Sequence, residues 1–173
     1  MLGTIAHGFT LNDITHWTGT GSNRGALVVD FANGGPSFVW GFRFSGASTG
    51  LAMINAIGAN PTSGLEVQIT HYSFGDAVTG LRFGTQNAAG FDAGSPGFWG
   101  YYLGGPSLTA PSSWTESQVG AGDRALSNES WDGWAWAPNF AGAAPGNNLV
   151  AAPEPASLLG LGFGLILLRR KRA

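Results

Sequence analysis

Alternation of apolar and polar residues over roughly the first 140 positions predicts a chain built mainly of β-strands. In residues 37–44, Phe38, Trp40, Phe42 and Phe44 fall on one face of an extended segment, which is the two-residue period of a half-buried strand. Similar patterns or short apolar runs predict five more strands: Ala26–Phe31, Leu65–Tyr72, Val78–Phe83, Phe98–Leu103 and Trp131–Trp136. We therefore expect a sheet of several strands.

One helix is predicted over residues 49–59. Met53 and Ile57 lie four residues apart, as on one helix face, and Ser48 or Thr49 can cap the N-terminus. A hairpin precedes this helix and further strands follow it, so we expect an α+β fold with the helix across one face of a small, mostly antiparallel sheet. A β-grasp-like arrangement is the first expectation, and a small β-sandwich with an incidental helix is the second.

Composition excludes several classes of protein. Glycine supplies 29 of 173 residues but does not recur at every third position, which excludes a collagen-like chain. The chain is rich in aromatic residues and poor in charge, so it can bury enough apolar surface to fold and is not expected to be disordered. The absence of cysteine excludes disulfide scaffolds and thiolate zinc sites. Residues 1–168 carry four arginines against ten acids, so nucleic-acid binding, which needs a basic surface, is not expected.

The last 21 residues differ from the rest of the chain. They consist of Pro153, Glu154 and Pro155, an apolar run over 156–168, and the cluster Arg169, Arg170, Lys171 and Arg172. A helix over the apolar run spans roughly 20 Å, less than the ~30 Å hydrocarbon core, but long basic side chains extend the span by reaching the headgroups. We expect a single transmembrane helix whose basic cluster stays cytoplasmic, which places the preceding residues outside.

This arrangement closely resembles the PEP-CTERM sorting signal of Gram-negative bacteria, with all three parts in order. The resemblance implies recognition by exosortase, a membrane cysteine protease and transpeptidase. It also implies a cut near Pro153-Glu154-Pro155, with release or transfer of the body from the inner membrane to the cell surface. The family is associated with bacteria that make exopolysaccharide or biofilm, so exopolysaccharide becomes a candidate partner.

The resemblance also divides the chain. Residues 1–139 are expected to form an extracytoplasmic domain, 140–152 a flexible linker rich in Ala, Gly, Pro and Asn, and 153–173 the sorting signal. Export needs an N-terminal signal, and residues 1–8 have neither a basic region nor an apolar stretch. We therefore expect the true N-terminus to lie upstream of Met1. The alternative is a genuine Met1, with the C-terminal helix inserting as a tail anchor and leaving the body cytoplasmic.

Parts of the body carry further resemblances. His16–Asn23, Phe38–Gly46 and Phe98–Tyr102 resemble a group of short, uncharacterised PEP-CTERM proteins. Trp99–Tyr102 followed by Gly133–Trp136 also resembles the small β-grasp-like domain that accompanies cobalamin-binding proteins. The second resemblance supports the expected fold more than it supports any ligand.

Seven tryptophans are the most informative candidates for binding chemistry. Most of them are expected to fill a core that is short of Leu and Ile. Trp114 and Trp131 lie in loop-like surroundings, so they are the candidates for stacking on a sugar ring or a planar ligand.

No pattern of residues indicates catalysis, a cofactor or a metal site. Asp123, Glu129 and Asp132 lie close in sequence, but Asp123-Arg124 and Asn128-Glu129-Ser130 are typical of turns. The three histidines are scattered along the sequence. We therefore expect an exported cell-envelope protein that is not an enzyme. Its body is interpreted as a structural or binding module of the cell surface or extracellular polysaccharide matrix. The alternative is a small-ligand or glycan-binding protein that uses its aromatic residues.

Overall fold

A computed structural model of the protein describes residues 8–73, 75–84, 86–87 and 96–153. Within these ranges, a short 3-10 turn (Leu11–Asp13) precedes the strands, and the α-helix α1 spans Gly50–Ala59. The strands are β1 Trp17–Gly19, β2 Asn23–Asp30, β3 Ser37–Phe44, β4 Leu65–Tyr72, β5 Gly75–Phe83, β6 Gln86–Asn87, β7 Gly97–Gly104, β8 Thr115–Glu116, β9 Ser130–Pro138 and β10 Leu149–Ala151. The α+β expectation is confirmed.

The larger sheet has a mixed topology with β2 and β9 at its centre. The order along it is β1-β3-β2-β9-β7-β8, and β10 also pairs with β3. The hairpin β2–β3 is antiparallel, β9 runs parallel to β2, and β7 is antiparallel to β9. A second sheet is formed by β4, β5 and β6. Pairing among the described strands is mostly antiparallel, as predicted, but the three parallel pairs in the larger sheet were not foreseen.

The helix begins where its sequence supplies a cap. The side chain of Thr49 accepts a hydrogen bond from the amide of Ala52 at 3.1 Å, which satisfies one of the unpaired donors of the first turn. Met53 and Ile57 lie on the buried side, as the four-residue spacing predicted. The helix packs against β4 as well as β3, so the β4–β5 hairpin covers the same side of the larger sheet as the helix.

Each face of the larger sheet has its own apolar cluster. Phe38, Trp40, Phe42 and Phe44 all belong to the cluster on the helix side, which confirms the predicted face of β3. Val39 points to the opposite face and packs in the second cluster. Full burial of a large apolar side chain stabilises the fold by about 1.5–3 kcal/mol. The two clusters therefore stabilise the larger sheet from both of its faces.

The prediction of a flexible linker over 140–152 was wrong for its last residues, 149–152. Leu149–Ala151 forms β10, which runs parallel to the first half of β3. The amide of Ala152 donates to the carbonyl of Val39 at 2.9 Å, and the hydroxyl of Thr15 donates to the carbonyl of Ala152 at 2.9 Å. Because β1 covers only the second half of this edge of β3, the first half remains open to β10. The folded body therefore extends through Ala152, which is fully buried.

Pro153 is the last described residue and it is exposed. Glu154, Pro155, the apolar run 156–168 and the basic cluster 169–172 lie outside the described residues. In the part of the chain that the structure describes, no helix combines the length and the apolar character needed to cross a membrane.

Candidate functional site

A cavity of about 700 Å³ lies on the helix side of the larger sheet. Its walls come from the middle of β7 and β9, the first residues of β5, the first turn of α1, and the loop 119–123. The described residues that line it are Leu51, Gly75, Asp76, Ala77, Val78, Trp99, Tyr101, Val119, Gly120, Ala121, Gly122, Asp123 and Trp134. This volume is in the range of small-molecule sites.

Aromatic side chains form one wall of the cavity. Trp99 and Tyr101 lie two residues apart on β7 and therefore face the same side of the sheet. Trp134 lies directly opposite Tyr101 on β9, and their rings stack with centroids 4.5 Å apart and planes 22° apart. The wall is therefore a rigid aromatic surface, since each ring is held by its strand and by its neighbour.

Two hydrogen-bond donors of this wall have no partner within the described part of the protein. The indole N–H groups of Trp99 and Trp134 are both buried without an acceptor, and the two side chains are only 6% and 5% exposed. A buried polar group without a partner costs about 1–3 kcal/mol, and here both indole nitrogens are enclosed by the packing of the wall and closed to solvent.

Beside the aromatic wall lies a largely buried polar cluster of three residues, one of which is Tyr101 itself. The hydroxyl of Tyr101 donates to the carboxylate of Asp132, which is fully buried, and the guanidinium of Arg124 lies 3.5 Å from the same carboxylate. Burial raises the pKa of Asp132, while the Tyr101 hydrogen bond and Arg124 oppose this change. Burial and the adjacent Asp132 raise the pKa of Tyr101. The cluster holds the Tyr101 ring in place against the cavity.

The start of α1 anchors the loop that forms the opposite wall. The amide of Gly50 donates to the carbonyl of Arg124 at 3.0 Å, and the amide of Leu51 donates to the carbonyl of Ala121 at 2.8 Å. A side chain at position 50 would collide with the Tyr101 hydroxyl and lie 2.7 Å from a carboxylate oxygen of Asp132, so only glycine fits here. The carboxylate therefore lies beside the N-terminus of α1, where the helix dipole favours negative charge.

Acidic side chains lie at the cavity, and the described lining contains no lysine, arginine or histidine. Asp76 and Asp123 both line it. Asp76 also contacts the ring nitrogen Nδ1 of His71 at 2.5 Å, and the side chain of His71 is largely exposed. The site therefore combines aromatic rings with two carboxylates.

The structure separates the predicted ligand-binding residues from this cavity. Trp131 is not in a loop: it lies on β9 on the opposite face of the sheet, is 0% exposed, and donates its indole N–H to the carbonyl of Ser107 at 2.8 Å. It fills the core, so its assignment as a ligand-binding residue is corrected. Trp114 is half-buried and packs against the second apolar cluster, to which Trp131 belongs. Its ring lies close to Gly133 and away from the cavity.

The aromatic residues that line the cavity were not predicted from the sequence as binding residues. Trp99, Tyr101 and Trp134 belong to predicted strands, and their two-residue spacing was the signal that places them on one face. Asp132 lies within β9, as the predicted strand Trp131–Trp136 implied, but its burial beside Tyr101 was not predicted. Across the described residues, no group of three or more side chains is arranged to hold a metal ion.

Comparison of the chain with family models, with curated proteins and with solved structures found no significant match.

Proposed function

We propose that this chain is an exported envelope protein of a Gram-negative bacterium that exosortase sorts through its C-terminal segment. The order of Pro153-Glu154-Pro155, apolar run and basic cluster supports this proposal. The precursor is held in the inner membrane with its basic cluster in the cytoplasm, and the processed body acts at the cell surface or in the extracellular matrix. The exposed position of Pro153, directly after the folded body, is consistent with access by a protease.

The fold is proposed to be a variant of the β-grasp. Four strands support this assignment: β3, β2, β9 and β7 lie side by side, with the parallel pair β2–β9 at the centre and the helix following the first hairpin. In this description the β4–β5 hairpin is an insertion that packs beside the helix. The alternative, a β-sandwich, is favoured only by the presence of the second sheet.

The body is proposed to be a binding module for a small glycan and not an enzyme. The observation that carries this proposal is the cavity of about 700 Å³, which Trp99, Tyr101 and Trp134 line together with the carboxylates of Asp76 and Asp123. Flat aromatic faces stack on the apolar faces of sugar rings, and carboxylates accept hydrogen bonds from sugar hydroxyls. The alternative is a purely structural surface module, which the complete burial of Trp40 and Trp131 favours.

Glycan binding is tested by titrating the purified full chain in detergent with oligosaccharides while following tryptophan fluorescence. We expect a saturable change, because two of the indoles line the cavity. Trp134→Phe should weaken binding, whereas Trp114→Phe, which changes an indole on the opposite face, should leave it unaltered. An absence of saturable binding across a broad glycan panel would favour the structural module.

Sorting is tested in a host that carries an exosortase. Replacement of Pro153, Glu154 and Pro155 by alanine is expected to leave the protein at its precursor mass, as measured by intact mass spectrometry. Unchanged processing of this variant would refute the sorting proposal and leave glycan binding untouched.

A further inference from the structure

The folded body is held close to the membrane in the precursor, provided that the proposed sorting function is correct. Ala152 is fully buried and is bonded through its amide to Val39 and through its carbonyl to Thr15, so it belongs to the folded body. Only residues 153–155 separate it from the apolar run that begins at position 156. Because an extended chain advances at most about 3.6 Å per residue, position 156 lies within about 14 Å of Ala152 in any conformation. The surface around Ala152 therefore lies at the headgroups of the bilayer.

The chain leaves the body at one edge of the larger sheet. β10 and β1 follow each other along the same side of β3, where β10 pairs with residues 37–39 and β1 pairs with residues 41–43. Thr15, whose hydroxyl contacts the carbonyl of Ala152, lies two residues before β1. We call residues 15–19 together with Arg43 the exit edge. The opposite edge of the sheet is β8, five strand spacings from β10, which is about 24 Å.

The charges of the body favour the exit edge as the side that faces lipid. Residues 1–152 carry four arginines, no lysine and nine acids, so an anionic membrane repels most of the body. Arg24 and Arg43 lie directly opposite each other on β2 and β3. Arg24, Arg82 and Arg124 each contact an acid, whereas Arg43 contacts no acid among the described residues. Arg43 is therefore the arginine of the described body whose charge is available to an anionic partner.

An aromatic ring holds the Arg43 guanidinium at the surface. Trp17 lies opposite Gly41 in the pair β1–β3, and a side chain at position 41 would collide with the indole ring. The guanidinium carbon of Arg43 lies 4.7 Å from the centroid of that ring, which is within the range of a cation–π interaction. Arg43 is exposed and Trp17 is half-buried. The ring therefore positions the cation without neutralising it, and both residue types favour the headgroup region of a bilayer.

We propose that Arg43, held by Trp17, contacts lipid phosphates while the precursor is anchored in the membrane. The body then stands on its exit edge, with β8 on the side away from the bilayer. The cavity, whose aromatic wall lies on β7 and β9, is on the distal half of the sheet and stays open to the exterior before the chain is cut. One arginine binds an anionic surface only weakly, so the contact orients the tethered body but does not retain it after cleavage.

The orientation can be measured with single labels, because the chain contains no cysteine. Thr20→Cys places a fluorophore at an exposed position directly after β1, and Thr115→Cys places one at an exposed position on β8. Each full chain is reconstituted in nanodiscs of phosphatidylethanolamine and phosphatidylglycerol that contain a lipid with a quencher on its headgroup. We expect strong quenching at position 20 and little at position 115, since such a quencher acts only at short range. Nanodiscs without the quencher provide the reference lifetimes.

The role of Arg43 is tested on the chain labelled at position 20, where the amplitudes of the quenched and unquenched lifetimes give the ratio of docked to undocked body. Arg43→Gln should lower this ratio about fivefold, as the loss of one cation at an anionic surface predicts. Arg43→Lys keeps the charge and should preserve the ratio. Arg82→Gln is the matched control, because it removes an arginine that is paired with Glu66 in the second sheet, and it should also preserve the ratio.

Three results would overturn this orientation and leave the sorting proposal intact: equal quenching at positions 20 and 115, an unchanged ratio in Arg43→Gln, or a loss of equal size in Arg82→Gln. Size-exclusion chromatography tests anchoring separately. A chain that does not co-elute with the nanodiscs would refute the membrane-held precursor, and with it both the sorting proposal and the orientation.

Discussion

The hydroxyl of Tyr101 on β7 donates a hydrogen bond to the buried carboxylate of Asp132 on β9. This bond joins the aromatic wall of the cavity to the polar cluster beside it, because the ring of the same Tyr101 stacks on Trp134. The carboxylate also holds Arg124, whose carbonyl accepts from the first amide of α1. The geometry of the cavity therefore depends on one acid that lies between two strands and a helix.

Asp132→Asn is expected to alter how stability changes with pH. The raised pKa of Asp132 means that the native state keeps the proton to a higher pH than the unfolded chain, whose Asp residues titrate near about 3.9. The stabilising effect of that proton is complete at pH values below the pKa of Asp132 in the unfolded chain. It is lost as the pH rises through the pKa of Asp132 in the folded protein. The free energy of unfolding of the variant, relative to the wild type, should therefore rise with pH above about 4.

Urea denaturation at several pH values between 4 and 8 measures this difference. Glu116→Gln, which neutralises an exposed acid, serves as the control and should show little of the trend. A difference between Asp132→Asn and wild type that stays constant over this range would contradict a raised pKa at Asp132.

Gly50→Ala is expected to destabilise the protein by about 1–3 kcal/mol, since an overpacked site must shift its neighbours. The new methyl group would collide with the Tyr101 hydroxyl and press on the Asp132 carboxylate, both of which are held by their own strands. Gly105→Ala is the control, because nothing lies within 4 Å of a methyl group there. Chemical denaturation of the two variants measures the difference, and equal stabilities would show that the contact at position 50 relaxes without cost.

Local patterns were sufficient to predict most elements but not the cavity. β3 and β4 begin and end at the predicted residues, because their apolar residues alternate cleanly and turn residues flank them. The burial of Asp132 could not be predicted, since it depends on Tyr101, 31 residues away along the chain, and on the start of α1. β10 was missed for a similar reason: a run of only three apolar residues becomes a strand because a remote edge of β3 is open to it.

Two tryptophans of the same apolar cluster should respond differently to replacement by phenylalanine. The indole of Trp40 donates to the carbonyl of Ser63 at 3.0 Å, whereas the indole of Trp134 has no described acceptor. Both changes remove similar volume from the core, but Trp40→Phe also leaves a buried carbonyl unpaired. We expect Trp40→Phe to cost about 1–2 kcal/mol more than Trp134→Phe in the free energy of unfolding. Equal costs would show that Ser63 regains a partner, or that Trp134 has an acceptor outside the described residues.

β10 is expected to determine where the chain can be cut during sorting. A protease binds its substrate as an extended strand, and residues 149–152 are already paired with β3, with Ala152 buried and bonded on both sides to Val39 and Thr15. Cleavage of the folded body should therefore fall at or beyond Pro153, so that the mature protein retains Ala152. Intact mass and C-terminal peptide mapping of the processed protein locate the cut.

Val150→Pro, which disrupts the edge strand, should allow additional cuts before Ala152, whereas Thr15→Ser, which keeps the hydroxyl donor, should not. A wild-type product that ends within residues 140–151 would show that β10 leaves the sheet before processing.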